Sequence, residues 1–96
     1  KLAEDGIIIV VMTLESGSGQ VLAGPDIVSR GFVYVRNSES LMDEAKTVLD
    51  AAMEKCMDRN ITDWGKIKNE IKDSLGEFVW RETKRRPMIM PIIMEV

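Results

Sequence analysis

The chain contains no histidine and only one cysteine, Cys56. A single cysteine cannot form an internal disulfide and fits a reducing cytoplasm, where we expect the protein to act. Zinc sites are mostly built from histidine and cysteine, and general-base catalysis most often uses histidine. Because Cys56 falls on the apolar stripe of a predicted helix, we interpret it as a buried hydrophobe rather than a nucleophile. We therefore expect no catalytic residue, no metal site and no cofactor in these 96 residues.

An excess of positive charge is also lacking, since 13 basic residues stand against 16 acidic ones and the net charge is −3. A domain that binds nucleic acid mainly by neutralising phosphates normally has the opposite sign, so any contact with nucleic acid should be local. The longest apolar runs, Ile7–Met12 and Met88–Met94, have the length of strands and fall far short of the roughly 20 residues that span a bilayer. We expect no membrane partner. Because the chain opens with Lys1 rather than Met, we expect it to be a piece of a longer protein.

The chain has the length of one domain, and its apolar residues form a series of strand and helix patterns. The β-branched run Ile7–Leu14 predicts a strand, and the Gly/Ser-rich stretch Glu15–Gln20 predicts a hairpin tip. A second extended segment, Val21–Val35, is interrupted by Gly24-Pro25 and by Gly31. We therefore expect a kink or bulge at one or both of these places.

Two helices are predicted between the second strand and the closing strand, Met88–Val96. Asn60 can adopt the left-handed conformation and should end the first helix, Thr62 should cap the second, and Pro87 should end it. Trp80 lies near the apolar stripe of the second helix, and both tryptophans of the chain should lie in the core. The first stripe comprises Leu41, Ala45, Val48, Leu49, Ala52, Met53 and Cys56, and the second comprises Trp64, Ile67, Ile71, Leu75, Phe78 and Val79.

This order predicts an α+β domain, a three-stranded mixed sheet with two antiparallel helices packed on one face, in the order β-β-α-α-β. Two antiparallel helices return the chain to the end of the sheet that it left, so the last strand should run parallel to the first. Pro91 cannot donate to a β ladder and favours an edge for the last strand, while the interrupted second strand is a poor centre. The preferred strand order is therefore second–first–last. A meander with the second strand in the centre is the alternative.

The first and last strands are apolar at nearly every position, whereas a half-exposed strand should alternate apolar and polar residues. Two helices can cover only one face of three strands, so about five large side chains should remain on the other face, and such a patch marks an interaction surface. A two-fold pairing of identical domains would cover it most economically. The alternative is that the loop and the strand ends fold over this face, or that the strands are short and twisted. We assign the interface to Ile8, Val10, Met12, Ile89 and Ile93.

Three motifs stand out in the chain: LAGPDIVSRGFV at residues 22–33, ITDW at residues 61–64, and TKRRPMIMP at residues 83–91 with the ending Glu95-Val96. Together they resemble the C-terminal domain of bacterial ribonuclease J, over essentially Asp5 to Val96. The turn signal Asp5-Gly6 predicts that residues 1–5 are the end of a linker from a preceding domain, and the resemblance makes residues 6–96 the C-terminal domain itself. The hairpin tip and the high methionine content depart from what we expect of the family.

The resemblance implies that the full-length parent is a cytoplasmic, multidomain ribonuclease. A metallo-β-lactamase domain with an inserted second domain would bind zinc through His and Asp residues. It would cut RNA as an endonuclease and as a 5′-to-3′ exonuclease in RNA maturation and decay. None of those zinc ligands can be carried over to this chain. The family's C-terminal domain is associated with dimer or tetramer assembly, so the implied partners are identical chains, the catalytic and linker domains of the same protein and, mainly through the parent, RNA.

Four basic residues are candidates for contacts with RNA or with a neighbouring domain: Arg30 in a Gly-flanked turn, and Lys84, Arg85 and Arg86 after the second helix. The simpler interpretation of Arg30 is a structural arginine that bonds loop carbonyls. Three cations also suit a helix C-terminus through the helix dipole, without any ligand. Two functions therefore stay open from the sequence, an assembly domain and an accessory RNA-binding module that guides substrate to the catalytic domain.

Overall fold

The computed structural model describes residues 5–31 and 38–96. In chain order they form β1 (Ile7–Leu14), β2 (Val21–Arg30), α1 (Ser38–Asp58), α2 (Trp64–Thr83) and β3 (Met88–Glu95). The predicted α+β order β-β-α-α-β is confirmed. Residues 1–4 of the expected linker and residues 32–35 of the second extended segment lie outside the described residues.

The sheet has the strand order β2-β1-β3, with β1 antiparallel to β2 and parallel to β3. This is the preferred second–first–last arrangement, and the alternative with β2 in the centre is wrong. β1 is the one strand of the three that no glycine or proline interrupts, and Pro91 lies on the edge strand β3, as predicted. The Met88 N–H donates to the Gly6 carbonyl (2.9 Å) and the Ser16 N–H to the Val96 carbonyl (2.8 Å), so the parallel pair is held at both ends.

A β-bulge interrupts the pairing of β2 with β1 at Gly24-Pro25. The register shifts between Val11 and Thr13, which confirms one of the two predicted interruptions. Gly24 has a φ of +86°, and a Cβ at this position would lie 2.7 Å from the Val11 carbonyl oxygen. Only glycine fits both requirements without strain. Gly31, the second predicted interruption, also has a positive φ (+67°) and follows the last residue of β2.

The helix ends follow local capping chemistry. Asn60 has a φ of +55°, and the Ile61 N–H donates to the Cys56 carbonyl (2.8 Å), so the predicted stop after α1 is confirmed. The predicted cap Thr62 is wrong by one residue: the Asp63 carboxylate accepts a hydrogen bond from the Gly65 N–H (2.8 Å). A carboxylate caps this end well because it also complements the positive end of the helix dipole.

One core lies between the helices and the sheet, with α1 packed towards β2 and α2 towards β3. The two tryptophans do not belong to it, since Trp64 and Trp80 are exposed, and their predicted burial is wrong. Trp64 is the first residue of α2, and Trp80 shares a stripe of α2 with Lys72 and Gly76, away from the buried residues. The buried core residues are Ile8, Val10, Met12, Leu14, Leu41, Ala45, Leu49, Met53, Cys56, Ile67, Ile71, Leu75, Phe78, Val79 and Ile93.

Candidate functional site

The two faces of the sheet differ in what covers them. Along β1 the burial alternates strictly: Ile8, Val10, Met12 and Leu14 are buried, while the residues between them are only half-buried. Successive residues of a strand point to opposite faces, so the buried set faces the helices and the half-buried set faces away from them.

The residues predicted to form an interface lie on the covered face. Ile8, Val10, Met12 and Ile93 are buried, and Ile89 is partly buried and packs against the core. The prediction that these five residues form the apolar face that the helices leave uncovered is therefore wrong. Every position from Ile7 to Met12 is apolar, so alternation predicts two apolar sets without indicating which set the helices cover.

We name the opposite side the open sheet face. The strand register places Ile9 beside Val28 and Met90, so side chains from all three strands meet on this face. Its exposed members Val28, Met90, Ile92 and Met94 each leave 38 to 51% of their surface accessible, so the loop and the strand ends do not bury them. The predicted surplus of apolar surface therefore exists, on the other set of residues. The apolar residues of the open sheet face are Ile7, Ile9, Val11, Val28, Met88, Met90, Ile92 and Met94.

Two opposite charges flank Val28 on the outer edge of the open sheet face. Asp26 pairs with Val11 and Arg30 pairs with Ile7 in the register, so both point to the same side as Val28. Four residues of strand separate them by about 13 Å, too far for an ion pair with each other. Among the described side chains, those of residues 5–31 and 40–96, neither makes a salt bridge. Arg30 therefore belongs to this face by position.

The three predicted cations after α2 have different surroundings. The Arg85 guanidinium lies 3.9 Å from the Asp5 carboxylate, which also accepts the Arg86 backbone N–H at 2.8 Å. The Arg86 guanidinium carbon lies 4.4 Å from the centre of the Trp80 ring, and the Lys84 ammonium lies 5.3 Å from it. The structure thus brings Lys84 and Arg86 together on Trp80, which is exposed and not buried as predicted. Lys84 follows Trp80 by four residues, and this helical spacing was the signal for their contact.

Cys56 and Glu70, both described side chains of the helix layer, have shifted pKa values. Burial raises the pKa of the Cys56 thiol, and the charge of Glu70 adds to the effect. The thiol is therefore protonated at neutral pH and is a poor nucleophile. A hydrogen bond from the Ser74 hydroxyl (2.9 Å) holds the pKa of Glu70 below its usual range, and Lys55, 3.3 Å from the same oxygen, adds to this. The Lys55–Glu70 contact links α1 to α2, and the Ser74–Glu70 hydrogen bond lies within α2.

The described residues do not fit the zinc centre that the resemblance implies for the parent. Among the side chains of residues 5–31 and 40–96, no group of three or more His, Cys, Asp or Glu could hold a metal ion. Neither of the two described helices has the length and apolar character needed to cross a membrane.

Comparison with known proteins identifies relatives along the whole chain. The family model of the ribonuclease J C-terminal domain matches residues 1–96. The chain is 42% identical over 95 residues to Ribonuclease J2 of Bacillus subtilis, and 44% identical over 95 residues to Ribonuclease J 2 of Staphylococcus saprophyticus and of Staphylococcus aureus. Each match covers 99% of this chain and 17% of the relative, so the chain spans a minor part of the curated relatives that it matches.

Proposed function

The chain belongs to the ribonuclease J C-terminal domain family, and we propose that it is the assembly and scaffolding domain of a ribonuclease, joining identical chains through the open sheet face. The observation that supports this most strongly is the contiguous apolar surface to which all three strands contribute. Exposed patches of this kind mark interaction sites in proteins that are otherwise well packed.

The parent that we propose is a cytoplasmic, zinc-dependent endonuclease and 5′-to-3′ exonuclease that acts in RNA maturation and decay. The support is the family membership together with the ribonuclease names of the relatives. The zinc would be held by the catalytic part of the parent, because the described residues of this chain do not provide a ligand set. This domain would then act on catalysis indirectly, through the arrangement of the parent's subunits.

The charges beside Val28 favour a second copy of this chain as the partner. Two copies can stack with their open sheet faces against each other. A two-fold axis between the two faces that crosses β2 at Val28 would then place β2 antiparallel over β2 of the second copy. Val28 would then meet Val28 of the other copy, and each Arg30 would meet the Asp26 that lies equally far on the other side of the axis. The strand register supplies this self-complementarity without any change in the fold.

The energetics predict weak pairing for the domain by itself. Four side chains per copy are about half exposed, and burying each contributes roughly 0.6–1.5 kcal/mol, a proportionate share of the value for a fully exposed side chain. For the pair of faces this gives roughly 5–12 kcal/mol, comparable with the association cost of about 4–15 kcal/mol. Further contacts of the parent would hold the domains near each other and raise their effective concentration.

A charge swap tests this arrangement. Arg30→Asp and Asp26→Arg would each place like charges opposite one another and should shift the monomer–dimer equilibrium towards monomer by about fivefold or more. The double variant, with both changes, should restore association. Lys46→Glu on α1 is the control for the change in net charge and should leave association unchanged. Sedimentation equilibrium gives the dissociation constants; equal association of all four variants would reject the pairing centred on Val28.

The second candidate function is an accessory RNA contact that guides substrate towards the catalytic domain. The observation that favours it is the exposed Trp80 ring with Lys84 and Arg86 against it, because cations beside an aromatic ring are the usual means of binding single strands. Titration with single-stranded RNA at low salt tests it. Binding that is lost when Lys84, Arg85 and Arg86 are changed to Ala would support this function, and the absence of binding would dismiss it.

A further inference from the structure

A pocket of about 270 Å³ lies between α2 and β3, next to the basic segment. Three of its residues, Lys72, Gly76 and Trp80, follow one another at intervals of four and therefore share one stripe of α2. Arg86 enters from the turn that precedes β3. Two cations thus stand beside an aromatic ring and an apolar floor. The lining residues are Lys72, Gly76, Trp80, Arg86, Pro87 and Ile89.

We propose that this pocket binds one nucleotide unit of single-stranded RNA, with the phosphate between Lys72 and Arg86. The inference rests on the second proposed function and gives it a location. The volume lies just below the range of about 300–1,000 Å³ that is typical of small-molecule sites, so one nucleotide unit suits it better than a large cofactor.

Arg86 is held in place for such a contact. Its backbone N–H donates to the Asp5 carboxylate, and its guanidinium group lies 4.4 Å from the centre of the Trp80 ring. A guanidinium that rests on an aromatic ring keeps the N–H donors of its edge available for a phosphate. Among the described residues, neither Arg86 nor Lys72 makes a salt bridge to a carboxylate. Trp80 therefore acts as a positioning residue for Arg86.

Gly76 is the second observation that points to a ligand. Glycine in the middle of a helix is destabilising relative to alanine. A Cβ at this position would lie 3.5 Å from the Cδ1 atom of Ile89, which is an ordinary van der Waals distance. Packing therefore does not require glycine here. The missing side chain instead keeps the floor of the pocket open between the two cations.

The test uses the 96-residue chain and a labelled ten-nucleotide single-stranded RNA at low salt. Lys72→Ala and Arg86→Ala should each weaken binding roughly tenfold or more, the effect of losing a charge-assisted hydrogen bond. Each should also reduce the slope of log affinity against log salt by about 0.7. Gly76→Ala should weaken binding to a similar extent while it raises the midpoint of thermal unfolding, a combination that misfolding cannot produce. Lys46→Ala, a cation of α1 outside the pocket, is the matched control and should change affinity less than twofold.

The outcomes separate the pocket from the broader RNA function. Equal losses of RNA affinity in Lys46→Ala and Lys72→Ala would overturn the proposed pocket and leave an RNA contact elsewhere. A Gly76→Ala chain that binds RNA like the wild type would have the same meaning. No binding by the wild-type chain would overturn both. Inorganic phosphate at the concentration of RNA nucleotides should not displace the RNA. Displacement at that concentration would show a free-anion site and contradict the proposal.

Discussion

The two faces of the sheet are built from the same kinds of residue and have opposite surroundings. β1 presents Ile8, Val10 and Met12 to the helices, and Ile7, Ile9 and Val11 to the other side. The difference shows that apolar composition does not decide burial here; the position of the two helices does. The covered face holds the core, and we propose that the open sheet face holds a second copy of the chain.

The largest contrast between the two faces is expected in the free energy of unfolding, when two adjacent isoleucines of β3 are changed to alanine. Ile93→Ala removes a side chain that is 8% exposed and should lower the free energy of unfolding by about 2–5 kcal/mol. Ile92→Ala, on the open sheet face, should cost less than about 1 kcal/mol at a concentration where the chain is monomeric. Urea unfolding followed by circular dichroism measures both values. Similar losses for the two variants would erase the distinction between the faces.

The rate of methionine oxidation should show the next largest difference between the two faces. Met90 and Met94 are exposed on the open sheet face, whereas Met12 and Met53 are buried. Mild peroxide should therefore oxidise the first pair well before the second, as peptide mass spectrometry would show. The polar sulfoxides should also weaken self-association by about tenfold, and methionine sulfoxide reductase should restore it. Equal oxidation rates at all four positions would contradict the assignment of faces.

The smallest effect is expected on the solvent side of the helices, away from both faces. The Ser74 hydroxyl lowers the pKa of Glu70, so its stabilising effect is present above the unfolded pKa of about 4.3 and is lost as the pH falls through the lower folded value. Ser74→Ala should lower the free energy of unfolding by roughly 0.5–1 kcal/mol at pH 7. The loss should shrink as Glu70 becomes protonated in acid. A loss that is independent of pH in urea titrations would refute this account.

The sequence predicted the order of elements and the strand order, because these follow from strong local signals. The bulge at Gly24-Pro25 and the stop at Asn60 depend on residues with special backbone preferences. Pro91 indicated an edge strand in the same direct way. Each of these signals acts within a few residues and does not depend on packing.

The choice of covered face could not be predicted in the same way, since the two sets of β1 are equally apolar over six residues. Only the end of the strand indicates which set the helices cover: Thr13 continues the half-buried set and Leu14 continues the buried one. Asp26 and Arg30 carry the same information on β2, where both pair with the half-buried set. The polar residues therefore indicate which face of the sheet is uncovered better than the apolar residues do.

The exposure of Trp80 was missed for a related reason. Its apolar ring and its place next to the buried Val79 suggested the core, whereas the helical period puts it on one stripe of α2 with Lys72 and Gly76. The nearby cations Lys84 and Arg86 favour the exposed position, because their contacts with the ring keep the charges in water.

The most direct test of the central claim is the mass of the chain in sedimentation equilibrium over a concentration series, with Ile92→Glu as the matched variant. Circular dichroism should first show that the variant is folded, since position 92 lies outside the core. Pairing through the open sheet face predicts that the wild-type mass rises from 10.8 kDa towards twice that value while the variant stays at 10.8 kDa. A wild-type mass that remains at 10.8 kDa up to the highest concentration, or a variant that associates equally well, would contradict it.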